Sequence, residues 1–142
     1  MKMFLFLAFA VMLLSIYSPK DFKETDTSAE VKALNFLVYR KNVMDYVFGN
    51  NSVTGVIQDK DIEFPSGFVN QNWKARIQGD VLYIYGKATK EETAQAQKQS
   101  MYSHSVGSKK NGLFYPHYTT PPTVLPGFID EGDLVSILEI TE

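Results

Sequence analysis

An uncharged apolar run near the start of the chain constrains its architecture more than any other feature. The run, Met3 to Tyr17 (MFLFLAFAVMLLSIY), follows Lys2 and precedes Pro19. A helix that spans a bilayer needs ~20 apolar residues, and a run of ~10–14 suits the hydrophobic region of a signal peptide, so these fifteen residues fall between the two. An amphipathic helix of a soluble core would include charged residues, and this run has none.

The residues at the end of the run favour an anchor that is retained. Signal-peptide cleavage requires small side chains at the last and third-last positions, whereas Ile16 and Tyr17 are bulky. Since the chain has no Cys, lipid attachment to a cysteine is excluded. We therefore predict a membrane anchor or uncleaved signal over 1–20, with a removed signal peptide as the alternative. Charges on the two sides do not select an orientation, but the N-terminal position favours a domain outside the cytoplasm.

A short tether over 21–27 and a single extracytoplasmic domain over 28–142 are predicted to follow. Roughly 120 residues suffice for one hydrophobic core. Thr27-Ser28-Ala29-Glu30 matches a capping box, which predicts the start of the main helix. Apolar residues at helical spacing continue to Val47, and Gly49-Asn50-Asn51 predicts a left-handed C-cap.

Turn sequences predict a sheet built from hairpins. Gln78-Gly79-Asp80 and Asn111-Gly112 each separate two β-prone segments, and Leu134 to Ile140 is rich in β-branched residues. A second capping box, Thr89 to Glu92, predicts a short helix that ends near Tyr102. This helix is expected to pack through a few small or flexible side chains, namely Ala94, Gln97 and Met101. The predicted fold class is α+β: an N-terminal membrane-anchor helix, then one domain with a main helix, a second short helix and a mostly antiparallel sheet.

Two segments are predicted to be less regular. The region from Ser52 to Phe68 contains one short strand and a turn at Pro65-Ser66-Gly67. The region from His117 to Pro126 has three prolines, so we expect an extended segment without ladder pairing.

The composition and motifs argue against several classes of function. A net charge of −2 provides no basic field for nucleic acid. The absence of Cys excludes thiolate chemistry and cysteine-bound zinc. His104 and His117 lie on different predicted elements, and neither a P-loop nor a G-x-S-x-G motif occurs. We therefore expect no enzymatic activity, no cofactor, no metal and no small-molecule ligand.

One polar and aromatic cluster on the main helix is a candidate interaction surface. It consists of Tyr39, Arg40, Asp45 and Tyr46, and the alternative interpretation is a solvated helix face. Trp73 is a possible aromatic anchor, because Tyr and Trp are favoured in protein interfaces. The alternative for Trp73, as for most aromatic residues here, is a place in the core.

Several segments along the chain resemble the small PilM family of type IVb pilus biogenesis proteins, known from the thin pili of conjugative plasmids. The segments that carry the resemblance are Ala33 to Arg40, Asp45-Tyr46-Val47, Pro65 to Phe68 with Trp73, Tyr83 to Gly86, Ser105-Val106-Gly107, Leu125 to Ile129 and Leu134-Val135-Ser136. They cover nearly the whole chain, and none of them is catalytic.

The resemblance implies a non-enzymatic protein of the bacterial inner membrane. It would be held by Met3 to Tyr17, with its domain in the periplasm. It would act in the pilin transport apparatus or the pilus basal body, through contacts with other inner-membrane and secretin-associated pilus-assembly proteins. One alternative is a minor pilin or pseudopilin-like subunit, although no prepilin-peptidase site precedes the apolar run. The other is an anchored periplasmic domain that binds the cell wall.

Overall fold

The computed structural model describes residues 24–118 and 121–140, which form a seven-stranded antiparallel sheet and two α-helices. Helix α1 spans Glu24–Gly49 and helix α2 spans Lys90–Gln99. The strands are β1 (Gly55–Ile57), β2 (Lys74–Gln78), β3 (Val81–Gly86), β4 (Val106–Lys110), β5 (Leu113–Pro116), β6 (Thr123–Val124) and β7 (Leu134–Glu139). The predicted α+β domain with an antiparallel sheet is thus confirmed.

The last strand lies in the middle of the sheet, whose order is β1-β2-β3-β7-β4-β5-β6. Strand β7 pairs with β3 on one side, where Ile137 faces Tyr83, and with β4 on the other, where Val135 faces Gly107. The C-terminal strand therefore joins the two predicted hairpins, β2–β3 and β4–β5, into one sheet.

The turns that connect these hairpins have the backbone geometry that their sequences predict. Gly79 has φ of 61°, and Asn111 and Gly112 have φ of 53° and 76°, as a two-residue type I′ turn requires. The capping box at the start of α2 is also confirmed, with the Thr89 hydroxyl accepting from the Glu92 amide at 3.1 Å. At Pro65-Ser66-Gly67 the Phe68 amide donates to the Pro65 carbonyl at 3.0 Å, which confirms that turn.

The main core lies between the two helices and one face of the sheet. Helix α1 contributes Phe36 and Val43, and the sheet contributes Leu82 and Ile84, all fully buried. A smaller core covers part of the opposite face, where the segment 125–133 folds back over the strands. Its members are Phe114, Leu125, Ile129 and Val135.

The predicted start of the main helix was wrong, and its end, although correctly placed, is capped differently from the prediction. Thr27 lies inside α1, so it is not the N-cap, and residues 24–27 of the predicted tether are helical. At the other end the helix stops at Gly49 as predicted, but none of Gly49, Asn50 and Asn51 has positive φ. The end is instead capped by the Asn50 side chain, which donates to the Tyr46 carbonyl at 2.8 Å.

The predicted packing of α2 was wrong for Ala94 and Met101, although Gln97 is half-buried. Ala94 is exposed and Met101 is 88% exposed, whereas Glu92, Thr93 and Ala96 face inward. The face is set by α1, because Lys32 forms an ion pair of 3.3 Å with Glu92. The prediction used only the apolar residues of α2 itself, and these do not reveal a contact with the distant residue Lys32.

The proline-rich segment differs from the prediction in one respect. Thr123 and Val124 form a two-residue strand that pairs with β5, so the segment does contribute to the ladder at the sheet edge. The prolines of the segment, Pro121, Pro122 and Pro126, flank this short strand and so do not interrupt its pairing.

The predicted anchor, Met3 to Tyr17, lies outside the described residues. Within residues 24–118 and 121–140, no helix combines the length and the apolarity that crossing a membrane requires.

Candidate interaction surface

Tyr39, the first residue of the predicted surface, is a core residue instead. Its side chain is fully buried and stacks on Phe64, with 5.7 Å between ring centroids. The hydroxyl donates to Asp59 Oδ1 at 3.4 Å. Burial, together with the neighbouring Asp59 carboxylate, raises the pKa of Tyr39 far above its ordinary value. Tyr39 therefore remains neutral and holds the 59–61 turn against the helix.

Arg40 also points into the protein, where it links α1 to the sheet. Its Nε donates to Ser136 Oγ at 2.7 Å and its Nη2 donates to Ser105 Oγ at 2.9 Å. Ser136 is fully buried on the central strand, and Ser105 also shares a hydrogen bond with Ser103. Burial lowers the pKa of Arg40. The guanidinium thus fixes the register between helix and sheet through neutral hydroxyl groups.

Asp45 and Tyr46 are the part of the predicted surface that stays accessible. Asp45 is exposed and pairs with Lys41 one turn earlier, at 3.2 Å. Tyr46 is half-buried and lines a polar groove with Asp45, Asp61 and Glu63. The four predicted residues therefore do not form one surface, because Tyr39 and Arg40 lie on the inward face of α1.

Trp73 occupies the core and is not an exposed anchor. It is 2% exposed, meets Phe36 edge-to-face with 5.0 Å between centroids, and its indole Nε1 donates to Asn35 Oδ1 at 2.8 Å. Gly86 lies against the ring so closely that an added Cβ would be 2.4 Å from Trp73 Cε3. The tryptophan thus fastens β3 to α1.

An exposed cluster of aromatic rings lies at the end of α2 and beside the proline-rich segment. The rings of Tyr102 and His117 are 4.2 Å apart, and those of His104 and His117 lie 5.5 Å and 4.9 Å from Tyr118. All four side chains are exposed. Met101 and Tyr102 both have positive φ, of 56° and 55°, a conformation that is costly for side chains of this size. The chain therefore accepts backbone strain where it presents this aromatic cluster.

A groove of about 450 Å³ continues from this cluster across the sheet face that the helices leave uncovered. Its floor contains Tyr83, Phe114 and Ile137, and His104 and Pro121 lie on its walls. Next to it, the buried Lys109 ammonium donates to the Ile129 carbonyl at 2.6 Å and holds the 125–133 segment over the sheet. The groove thus has an apolar and aromatic floor.

The described residues do not assemble a metal centre: within 24–118 and 121–140 no group of three or more His, Cys, Asp or Glu is arranged to hold an ion. Asp133 is the most deeply buried carboxyl group of this region, and burial raises its pKa. Its Oδ2 accepts from the Asp130 amide at 3.1 Å, so Asp133 closes a turn. Of the acidic residues predicted to lie in turns, Asp130 and Asp133 do close one, since the Asp133 amide donates to the Asp130 carbonyl at 3.1 Å, whereas the pair at 59 and 61 lies in a short 3-10 helix, Asp59–Asp61.

One antiparallel sheet with two helices on one face defines a two-layer α+β domain with apolar and aromatic groups on its surface. The PilM family model matches residues 3–137, so the chain belongs to the PilM family. The fold is similar to a crystal structure of PilM from Escherichia coli B7A. The TM-score is 0.64 at 15% identity, and the match covers 85% of this chain and 99% of that one. A comparison with curated proteins gave no match.

The aromatic cluster and the groove were missed by reasoning from the sequence. The sequence does contain a pointer, since Tyr102-Ser103-His104 and His117-Tyr118 repeat Tyr and His within two short segments. Their meeting depends on the β4–β5 hairpin, which brings the two segments to the same end of the sheet.

Proposed function

We propose that this chain is a non-enzymatic component of pilus biogenesis that acts through protein–protein contacts. The observation that carries the proposal is the family match over residues 3–137, because membership of this family points to a pilus-related function. The surface is consistent with a binding role, since the exposed apolar and aromatic residues described above are typical of protein interfaces.

The proposed location is the bacterial inner membrane, with the domain in the periplasm. Met3 to Tyr17 would form the anchor, and the domain from Glu24 onward would contact inner-membrane and secretin-associated components of a type IVb pilus system. The apolar, uncharged run supports this location. In such a system the protein belongs to the pilin transport apparatus or the basal body.

Two accessible regions are proposed for these contacts. The first is the aromatic cluster around Tyr118, which is 51% exposed. The second is the remainder of the predicted surface, Asp45 and Tyr46, beside the polar groove. Tyr118 is the residue to mutate first. Tyr side chains in interfaces bury a large area at a small cost in conformational entropy, so its loss should weaken binding measurably.

A pulldown of the tagged full-length chain from detergent-solubilised cells tests the proposal. We expect recovery of other pilus-assembly proteins, and reduced recovery with Tyr118→Ala. Tyr115→Ala is the matched control, because Tyr115 is 45% exposed and lies outside the cluster. Failure to recover any pilus-assembly protein, under conditions that preserve such complexes, contradicts the proposal.

A second candidate function is binding of the cell wall, which the aromatic cluster favours. Adjacent exposed rings such as Tyr102 and His117 offer flat apolar faces on which sugar rings can stack. Co-sedimentation of the full-length chain with purified peptidoglycan distinguishes this candidate. Binding that Tyr118→Ala abolishes supports it, and a chain that stays in the supernatant rejects it.

A further inference from the structure

The outward face of α1 carries six residues at spacings of alternately three and four. They are Val31, Leu34, Val38, Lys41, Asp45 and Phe48. This alternation is the a/d pattern of a coiled coil, whose mean period of 3.5 residues keeps one seam of a helix facing a partner helix. With Val31 at an a position, Leu34 and Phe48 take d positions.

The apolar members of this seam are open to solvent. Val31, Leu34 and Phe48 are 57%, 56% and 54% exposed, and Val38 is half-buried. Single exposed apolar residues are ordinary on protein surfaces. Four at seam spacing on one face of one helix, whose opposite face already packs on the sheet, indicate a second packing surface.

We propose that two copies of this chain pair through this seam as a parallel two-stranded coiled coil. Val31, Leu34 and Val38 form the first three layers of the seam, and Phe48 forms the last. A second copy is favoured because β-branched residues at a and Leu at d are the combination that prefers two parallel strands. A self-complementary patch of this kind forms a closed, symmetric dimer.

The charged residues of the seam bear on its pairing, because the parallel register places Lys41 opposite Lys41 and Asp45 opposite Asp45 of the second copy. In each chain Lys41 and Asp45 already neutralise each other at 3.2 Å. An antiparallel register that pairs Lys41 with Asp45 of the second copy places Leu34 opposite residue 52, beyond the helix end at Gly49. Leu34 and Val31 would then stay exposed. The surface ion pairs gained in this register add little net free energy, so they would not compensate for the apolar area left unburied. The parallel register places each of the four apolar residues, Phe48 included, against its counterpart in the second copy.

The parallel arrangement also fits two chains that are held in one membrane, because it places both helix N-termini at the same end. This additional support rests on the proposed anchor, whereas the seam itself does not. A seam of two and a half heptads is short, so we expect a weak dimer in dilute solution. Confinement to a membrane raises the effective concentration of the two helices.

Disulfide crosslinking of single-cysteine variants tests the pairing, and the chain offers a clean background because it has no Cys. Val31→Cys, Leu34→Cys and Val38→Cys are made separately in the full-length chain, expressed in cells and oxidised in isolated membranes. Covalent dimers are expected from all three variants. Val124→Cys, at a position that is 75% exposed and lies on the edge strand β6 away from α1, is the matched control and should remain monomeric.

The pattern of dimers separates the alternatives. An antiparallel pair brings identical residues together at only one point along the helix, so dimers from a single position overturn the proposal. It is also overturned by dimers from none of the three, or by equal yield from Val124→Cys. As a second measurement, adding Leu34→Asp to Val38→Cys should reduce the dimer yield about tenfold or more, whereas adding Val124→Asp should not. These experiments require no pilus protein, so their failure and a failed pulldown are distinguishable.

Discussion

The two faces of α1 contain similar residue types and have different roles. On the inward face, Phe36 and Val43 are fully buried against the sheet. On the outward face, Val31 and Leu34 are more than half exposed. The difference shows that the residue types of this helix do not reveal which face holds the domain together, because the position of the sheet decides it. We therefore expect the inward face to determine stability and the outward face to determine association.

Truncation of Phe36 should have the largest effect on stability. Phe36→Ala removes a fully buried ring that packs on Trp73, so the free energy of unfolding should fall by about 3–5 kcal/mol. Chemical denaturation of the full-length chain in detergent measures the loss. Leu34→Ala, two residues away on the outward face, should change it by less than about 0.5 kcal/mol. Comparable losses for the two variants would remove the distinction between the faces.

The contact between Gly86 and Trp73 gives the next largest effect. Gly86→Ala places a methyl group 2.4 Å from the buried ring, so the tryptophan must move. Overpacking of this kind costs about 1–3 kcal/mol. The emission of Trp73, the single tryptophan of the chain, reports the displacement directly. The matched control is Gly49→Ala, since an added Cβ there meets nothing within 4 Å. If Gly86→Ala leaves the emission and the stability unchanged, the packing of Trp73 between β3 and α1 must be loose.

Loss of the Arg40 guanidinium should cost about 1–2 kcal/mol, because Arg40→Ala leaves the buried Ser136 hydroxyl without its donor. The partners are neutral hydroxyl groups, so the cost should be the same at low and high salt. Arg40→Lys should recover only part of the loss, since an ammonium group cannot reach both serines in the same planar geometry. A loss that disappears in high salt would identify an ionic partner instead.

Removal of the exposed ion pair on the outward face should have the smallest effect on stability. Lys41→Ala should cost roughly 0.2–0.5 kcal/mol, since both side chains are largely solvated. Salt should screen even this contribution. Thermal unfolding at two ionic strengths checks the prediction. A loss above about 1 kcal/mol would mean that this face also supports the domain.

Local sequence patterns were sufficient for the elements whose geometry is decided locally. Asn111-Gly112 predicts a type I′ turn because both positions require positive φ, and Thr89 with Glu92 predicts a capped helix start. The same kind of pattern misplaced the start of α1, because Thr27 and Glu30 also match a capping box from inside a helix. The position of β7 between β3 and β4 depends on contacts between distant segments.

The candidate site was harder to predict than the fold, for the same reason. Tyr39 and Arg40 are adjacent to residues that are exposed, and only the placement of the sheet turns them inward. The polar side chains beside aromatic rings suggested a contact surface. In the structure, however, the Arg40 guanidinium donates hydrogen bonds to Ser136 and Ser105 inside the domain. The heptad spacing of Val31, Leu34 and Val38 is readable in the sequence, but its meaning requires knowing that this face is outward.

Pilus assembly by a chain altered only on the outward face of α1 tests the central claim most directly. Full-length Leu34→Asp should unfold at the same denaturant concentration as the unaltered chain, because Leu34 is 56% exposed and makes no part of the core. In cells that lack the native gene, it should nevertheless fail to restore pili, counted by electron microscopy, at an unchanged level of protein. Normal piliation by Leu34→Asp would contradict a functional role of this face.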